Sequence, residues 1–63
     1  GQAVISTDGG AVNVREKPDI NSPIVAALPD GTVVKVYERV NDWFLIEDGS
    51  TAGFVNAEFI RQL

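Results

Sequence analysis

The stretch WFLIEDGSTAGFV, residues 43–55, decides the fold of this 63-residue chain. Two runs rich in β-branched and aromatic residues flank Asp48-Gly49-Ser50, a sequence typical of a tight turn. This pattern predicts a β-hairpin. The first run is apolar on both faces, so either Trp43 or Phe44 must point away from the main core, into a secondary cluster or a groove. The hairpin is therefore the first candidate for a binding surface.

Strand patterns continue on both sides of the hairpin. VNVR at residues 12–15 alternates apolar and polar residues, which places Val12 and Val14 on the core face and Arg15 on the other face. In TVVKVY at residues 32–37, the same alternation points Val34 and Val36 toward the core. It points Val33, Lys35 and Tyr37 toward the opposite face. Turn-forming residues recur at short intervals and leave no room for a long helix. We predict an all-β domain, either a sandwich or a small barrel, with one 3₁₀ turn at Asn56-Ala57-Glu58.

Composition excludes several classes of function. The chain has no cysteine and no histidine, so disulfides, thiol nucleophiles and histidine acid–base chemistry are all absent. The net charge of −4 argues against nucleic acid and anionic membranes as partners, and Ile24–Leu28 is the longest apolar stretch, far too short for membrane insertion. The loop acids match neither a calcium loop nor a pair of catalytic carboxylates. We therefore expect no catalytic residue, no metal site and no cofactor.

The order of the strand motifs carries a family resemblance. The motifs are VNVR (residues 12–15) followed by Pro18, GTVVKV (31–36), DWFLI (42–46) and GFVNAEFI (53–60). At these spacings they resemble the bacterial SH3-like (SH3b) family along nearly the whole chain. The chain departs from the family pattern at four places: Val12 stands for Leu, Glu16-Lys17-Pro18 for Ser-Gly-Pro, Phe54 for Trp and Phe59 for Tyr.

The resemblance implies a small SH3-like barrel of five to seven short antiparallel strands. It also implies a non-catalytic module of the bacterial cell envelope, periplasmic or extracellular, that binds peptidoglycan or its peptide stems and positions an exported protein or hydrolase. Eukaryotic SH3 domains share the barrel, but their ALYDY motif is absent and Asn56 occupies the place of their groove proline. Recognition of proline-rich peptides is therefore disfavoured.

Candidate ligand-binding residues lie around a groove expected between the Glu16–Ser22 loop and the Asn41–Trp43 turn. We expect four residues to line it: Tyr37, Trp43, Phe54 and Asn56. Trp43 is either an exposed platform or a half-buried barrel residue, and barrel-covering roles are favoured for Tyr37 and Phe54. If Trp43 is a platform, its replacement by alanine weakens binding and leaves the fold largely intact.

Arg15 could offer its planar guanidinium group to a carboxylate of the ligand. The favoured alternative is a surface salt bridge from Arg15 to Glu16, Asp42 or Glu58.

We expect residues 1–63 to form a single domain, taken from a larger protein and monomeric. A different class of function stays open, in which the domain is structural or binds protein by packing against a neighbouring domain of its parent. The negative net charge favours that alternative slightly, because binders of anionic wall polymers tend to be basic.

Overall fold

The computed structural model describes all 63 residues as one antiparallel sheet that curls into a small barrel. The elements in chain order are β1 (Gln2–Ile5), β2 (Ala11–Arg15), β3 (Ile24–Pro29), β4 (Val33–Val40), β5 (Trp43–Asp48), β6 (Thr51–Asn56), a 3₁₀ turn (Ala57–Phe59) and β7 (Ile60–Gln62). The strand order is β3-β2-β6-β5-β4-β1-β7. The molecule measures 25 × 23 × 23 Å, whereas seven flat strands spaced about 4.8 Å apart would span roughly 29 Å, so the single sheet must curl around its core. The predicted SH3-like barrel of five to seven strands is confirmed.

The core forms because alternate residues of the strands face the barrel interior. Val12 and Val14 are both buried, and Val34 is buried beside the partly buried Val36, as the alternation predicts. Nine buried apolar residues make up this cluster: Ala3, Ile5, Val12, Val14, Leu28, Val34, Phe44, Ile46 and Val55. These residues come from the six strands β1 to β6, so each of these strands is anchored to the core through its inward face.

Gly53 lies where β6 passes very close to β2. A Cβ atom at this position would stand 2.6 Å from Cγ1 of Val14 and 2.7 Å from the carbonyl oxygen of Arg15. Only glycine lets the two backbones approach this closely. The close contact also fixes Arg15 beside Phe54, its partner across β6.

The 3₁₀ turn begins one residue later than the sequence predicts, at Ala57 rather than Asn56. Asn56 keeps an extended backbone and acts as the cap, because its Oδ1 accepts a hydrogen bond of 3.1 Å from the backbone N–H of Glu58. The backbone N–H of Ala57 donates to the carbonyl of Asp42 at 2.7 Å, which ties the 3₁₀ turn to the β4–β5 turn. No helix in the chain has the length and apolarity that crossing a membrane requires.

Both edges of the sheet carry features that discourage pairing with another strand. The β2–β3 pairing is irregular between Val14 and Arg15, and β3 ends at Pro29, which has no N–H to donate. The opposite edge, β7, is three residues long and contains the charged Arg61. The edges are therefore poor templates for self-association.

Candidate functional site

A groove of about 270 Å³ opens where β2, the loop after it, the start of β5 and the 3₁₀ turn meet. Nine residues line it, five of them apolar: Ala11, Val12, Asn13, Arg15, Ile20, Trp43, Asn56, Glu58 and Phe59. The other depression in the surface is lined by seven residues, of which two are apolar and none is aromatic. Ligand pockets are mostly apolar with a few polar groups, so the first groove is the candidate site.

Trp43 forms an apolar wall of the groove and does not belong to the main core cluster. Its side chain is 9% exposed, while the next residue, Phe44, is 8% exposed and packs within the core cluster. The alternation of β5 thus sends Phe44 inward and Trp43 to the groove. Of the two sequence interpretations of Trp43, the structure agrees with a largely buried barrel residue that keeps one edge in the groove.

The indole N–H of Trp43 is a hydrogen-bond donor without a protein acceptor. None of the chain's hydrogen bonds uses this nitrogen, and no fully buried side-chain nitrogen or oxygen lacks a partner. The N–H therefore reaches solvent. A tryptophan packed this tightly usually finds an acceptor for its N–H, so Trp43 keeps a hydrogen-bond donor that the protein does not use.

Arg15 is held by a backbone carbonyl rather than by an acid. Its Nη1 donates to the carbonyl oxygen of Ser22 at 3.0 Å, and the only ion pair in the chain joins Arg39 to Asp42 at 4.0 Å. The predicted salt bridge from Arg15 to Glu16, Asp42 or Glu58 is therefore wrong. The physical reason is the conformation of the loop. Ser22 is buried, and its hydroxyl accepts a hydrogen bond from the backbone N–H of Lys17. This arrangement directs the carbonyl of Ser22 toward Arg15.

The polar groups opposite Arg15 come from the end of β6 and the 3₁₀ turn. Glu58 is exposed, and its carboxylate has neither a hydrogen-bond partner nor an ion-pair partner. Asn56 uses its Oδ1 to cap the 3₁₀ turn, so its amide NH₂ remains free. Asn13 makes no side-chain hydrogen bond. The groove therefore offers unpaired groups of both charges beside an aromatic surface.

Three of the five predicted site residues meet in this groove, and two do not. Arg15, Trp43 and Asn56 line it, and the loop of Glu16–Ser22 reaches it through Ile20. Phe54 pairs instead with Leu45 of β5 and lies half-buried on the outer face of the sheet. Tyr37 lies at an irregularity of β4, between Val36 and Glu38, and is exposed away from the groove.

The hydroxyl of Tyr37 donates a hydrogen bond of 2.6 Å to Oε1 of Glu47. This hydrogen bond raises the pKa of Tyr37 above its ordinary value of 10.0, with smaller contributions from desolvation and from the negative charge of Glu47. Only the protonated phenol of Tyr37 can donate this hydrogen bond. The hydrogen bond is therefore present below pH 10 and is lost as the pH rises through the raised pKa of Tyr37. The contact ties Tyr37 to the β5 strand end.

Sequence reasoning missed six of the nine residues that line the groove: Ala11, Val12, Asn13, Ile20, Glu58 and Phe59. Ile20 is 64% exposed, and an isoleucine in a polar loop is the one signal among the six that could have been noticed. The others depend on how the 3₁₀ turn folds back toward β2, which no local pattern reveals.

A small barrel with one aromatic groove beside its loops is the architecture of a binding module. The protein-family model of the bacterial SH3 domain matches residues 10–61 of the chain. The chain therefore belongs to the bacterial SH3 domain family, whose members are generally non-catalytic modules that bind peptides or cell-wall components and often occur in envelope proteins. No curated protein matches the chain.

Proposed function

We propose that this domain is a targeting module that binds the peptide part of bacterial peptidoglycan in the Trp43 groove. It would hold a longer envelope protein, periplasmic or extracellular, against the wall. The observation that carries the proposal is Trp43, whose indole lines a groove with polar groups around it and whose N–H has no acceptor in the protein. Rigid aromatic side chains bind at low cost in conformational entropy, which suits them to this role.

The size and charge of the groove favour a short peptide over a polymer. About 270 Å³ is near the lower limit of ligand pockets, which are typically about 300–1,000 Å³, so the groove has room for one or two residues. The net charge of −4 opposes the binding of anionic wall polymers. Free amide and charged groups in the groove can instead pair with the polar groups of a peptide stem.

Retention on purified peptidoglycan sacculi tests this proposal, with Ile20→Ser as the groove variant. Ile20 is 64% exposed, so its replacement should leave the fold intact while removing an apolar contact to the ligand. We expect the affinity of Ile20→Ser for sacculi to fall about tenfold, the equivalent of roughly 1.4 kcal/mol. Retention is measured at low and at moderate salt, and it should weaken as the salt rises, because salt screens the charged contacts in the groove but not the apolar ones.

Ile24→Ser is the matched control. Ile24 is the same residue type and is 53% exposed, but it lies outside the groove. This variant should bind sacculi as the wild-type domain does. Absence of retention of the wild-type domain at either salt concentration would rule out the wall-binding proposal.

The second candidate function is packing against another domain of the parent protein. Ile24 and Val25 favour it, because these two adjacent residues of β3 are both exposed and neither lines the groove. Under this alternative, sacculi do not retain the domain, and Ile24→Ser weakens its contact with the adjoining domain while Ile20→Ser does not.

A further inference from the structure

We infer that the group bound in the groove is zwitterionic: an aliphatic chain with an ammonium at one end and a carboxylate at the other. A peptide that ends in a diamino acid, with its side-chain amine and its carboxylate free, has this chemistry. The inference rests on the proposed function, since it assumes that a peptide occupies the Trp43 groove. It adds which part of the peptide is recognised.

Two opposite charges in the same groove carry the inference. Arg15 and Glu58 both line it, yet they form no ion pair with each other. Arg15 uses one donor on the Ser22 carbonyl, and a guanidinium group has five N–H donors, so most of its capacity to bind a carboxylate remains. Glu58 accepts no hydrogen bond through its carboxylate, which leaves it available to an ammonium.

The remaining lining suits a chain of methylene groups. Val12, Ile20, Trp43 and Phe59 supply apolar surface in the same groove as the two charges. Long amine-bearing side chains bury their methylenes along such surfaces while the charged end stays at a polar site. A ligand of this kind would contact the exposed edge of the Trp43 indole and pair with both charges.

Ligands of other charge fit the groove less well. A purely anionic ligand would pair with Arg15 but meet the carboxylate of Glu58 and the overall charge of −4. A purely cationic ligand would be repelled by Arg15, which is already half-buried. An uncharged apolar ligand would cover two charges without pairing either of them, which is costly. The zwitterion is the class that satisfies both.

Three synthetic dipeptides test the inference by quenching of the fluorescence of Trp43, the only tryptophan in the chain. The first is N-acetyl-alanyl-lysine with a free carboxylate. The second replaces lysine by norleucine and so lacks the ammonium, and the third carries a terminal amide in place of the carboxylate. We expect the first to bind about tenfold more tightly than either of the others, as loss of one charge-assisted hydrogen bond predicts.

Two substitutions assign the preferences to individual residues. Glu58→Gln should abolish the preference for lysine over norleucine and keep the preference for carboxylate over amide. Arg15→Gln should do the reverse, and if it disturbs the loop through Ser22, the Glu58→Gln comparison still decides the matter. Glu16→Gln is the matched control, because Glu16 adjoins Arg15 in sequence but does not line the groove, and it should keep both preferences.

The outcomes separate this inference from the proposed function. If the three dipeptides bind equally, or if none binds, the inference of a zwitterionic ligand is overturned. If sacculi still retain the wild-type domain in that case, the proposed function stands. If sacculi do not retain the wild-type domain, the proposed function itself is overturned.

Discussion

Replacing Gly53 with alanine is expected to lower the free energy of unfolding by about 2–3 kcal/mol, the upper range for overpacking a core. The added methyl group would stand 2.7 Å from the carbonyl oxygen of Arg15, and a backbone atom cannot move aside as a side-chain end can. A domain of 63 residues has a total stability of roughly 3–9 kcal/mol, so the loss is a large fraction of it. Urea denaturation followed by Trp43 fluorescence measures the change.

Gly10→Ala is the control for this prediction. No atom lies within 4 Å of a Cβ built at Gly10, and its φ is not in the left-handed region. Its replacement should therefore change stability by less than about 1 kcal/mol, in either direction. If Gly53→Ala is no more destabilising than Gly10→Ala, then β6 and β2 do not approach as closely as the structure has them.

Trp43→Ala is expected to have the second large effect, on both stability and binding. Because the side chain is 9% exposed, its removal should cost about 3–5 kcal/mol, the range for truncating a buried tryptophan. Sacculus retention should be lost as well, since the groove loses its aromatic wall. From the sequence, an intact fold is expected only if Trp43 is an exposed platform. Because Trp43 is buried, we expect the substitution to destabilise the fold. Thermal unfolding of the two proteins, followed by circular dichroism, measures the stability.

Trp43→Phe separates the two effects. Phenylalanine keeps an aromatic ring in the same place but loses the indole N–H and part of the area. The variant should stay folded at room temperature and bind sacculi several-fold more weakly. Full retention by Trp43→Phe would mean that the indole N–H makes no contact with the wall, and an unchanged melting temperature for Trp43→Ala would contradict its burial.

The fold follows from the sequence because its signals are local. The alternation of Val12, Asn13, Val14 and Arg15 is a property of consecutive residues, and the structure buries the two valines as that pattern predicts. The close approach at Gly53 also has a local signal, because a glycine inside a strand pattern often marks a point where two backbones come close together. The predicted 3₁₀ turn is present, and it starts one residue later than the predicted triplet because Asn56 caps the turn from outside.

The site is less predictable because it depends on tertiary placement. Arg15 was expected to pair with an acid, but the folded loop offers the Ser22 carbonyl within reach instead. The sequence predicts Tyr37 in the groove, but the irregular pairing of β4 leaves this residue exposed outside it. Glu58 enters the groove only because the 3₁₀ turn packs against the β4–β5 turn through Ala57 and Asp42.

The central claim is that the groove beside Trp43 is the binding site, and its most direct test is an amide ¹H–¹⁵N NMR titration of the domain with soluble peptidoglycan fragments. The single indole N–H signal reports on Trp43, and the side-chain amides of Asn13 and Asn56 report on the rest of the groove. We predict that these three signals shift together while the side-chain amide of Asn41, which does not line the groove, stays unchanged. Shifts confined to Ile24 and Val25, with the indole signal unmoved, would contradict the account.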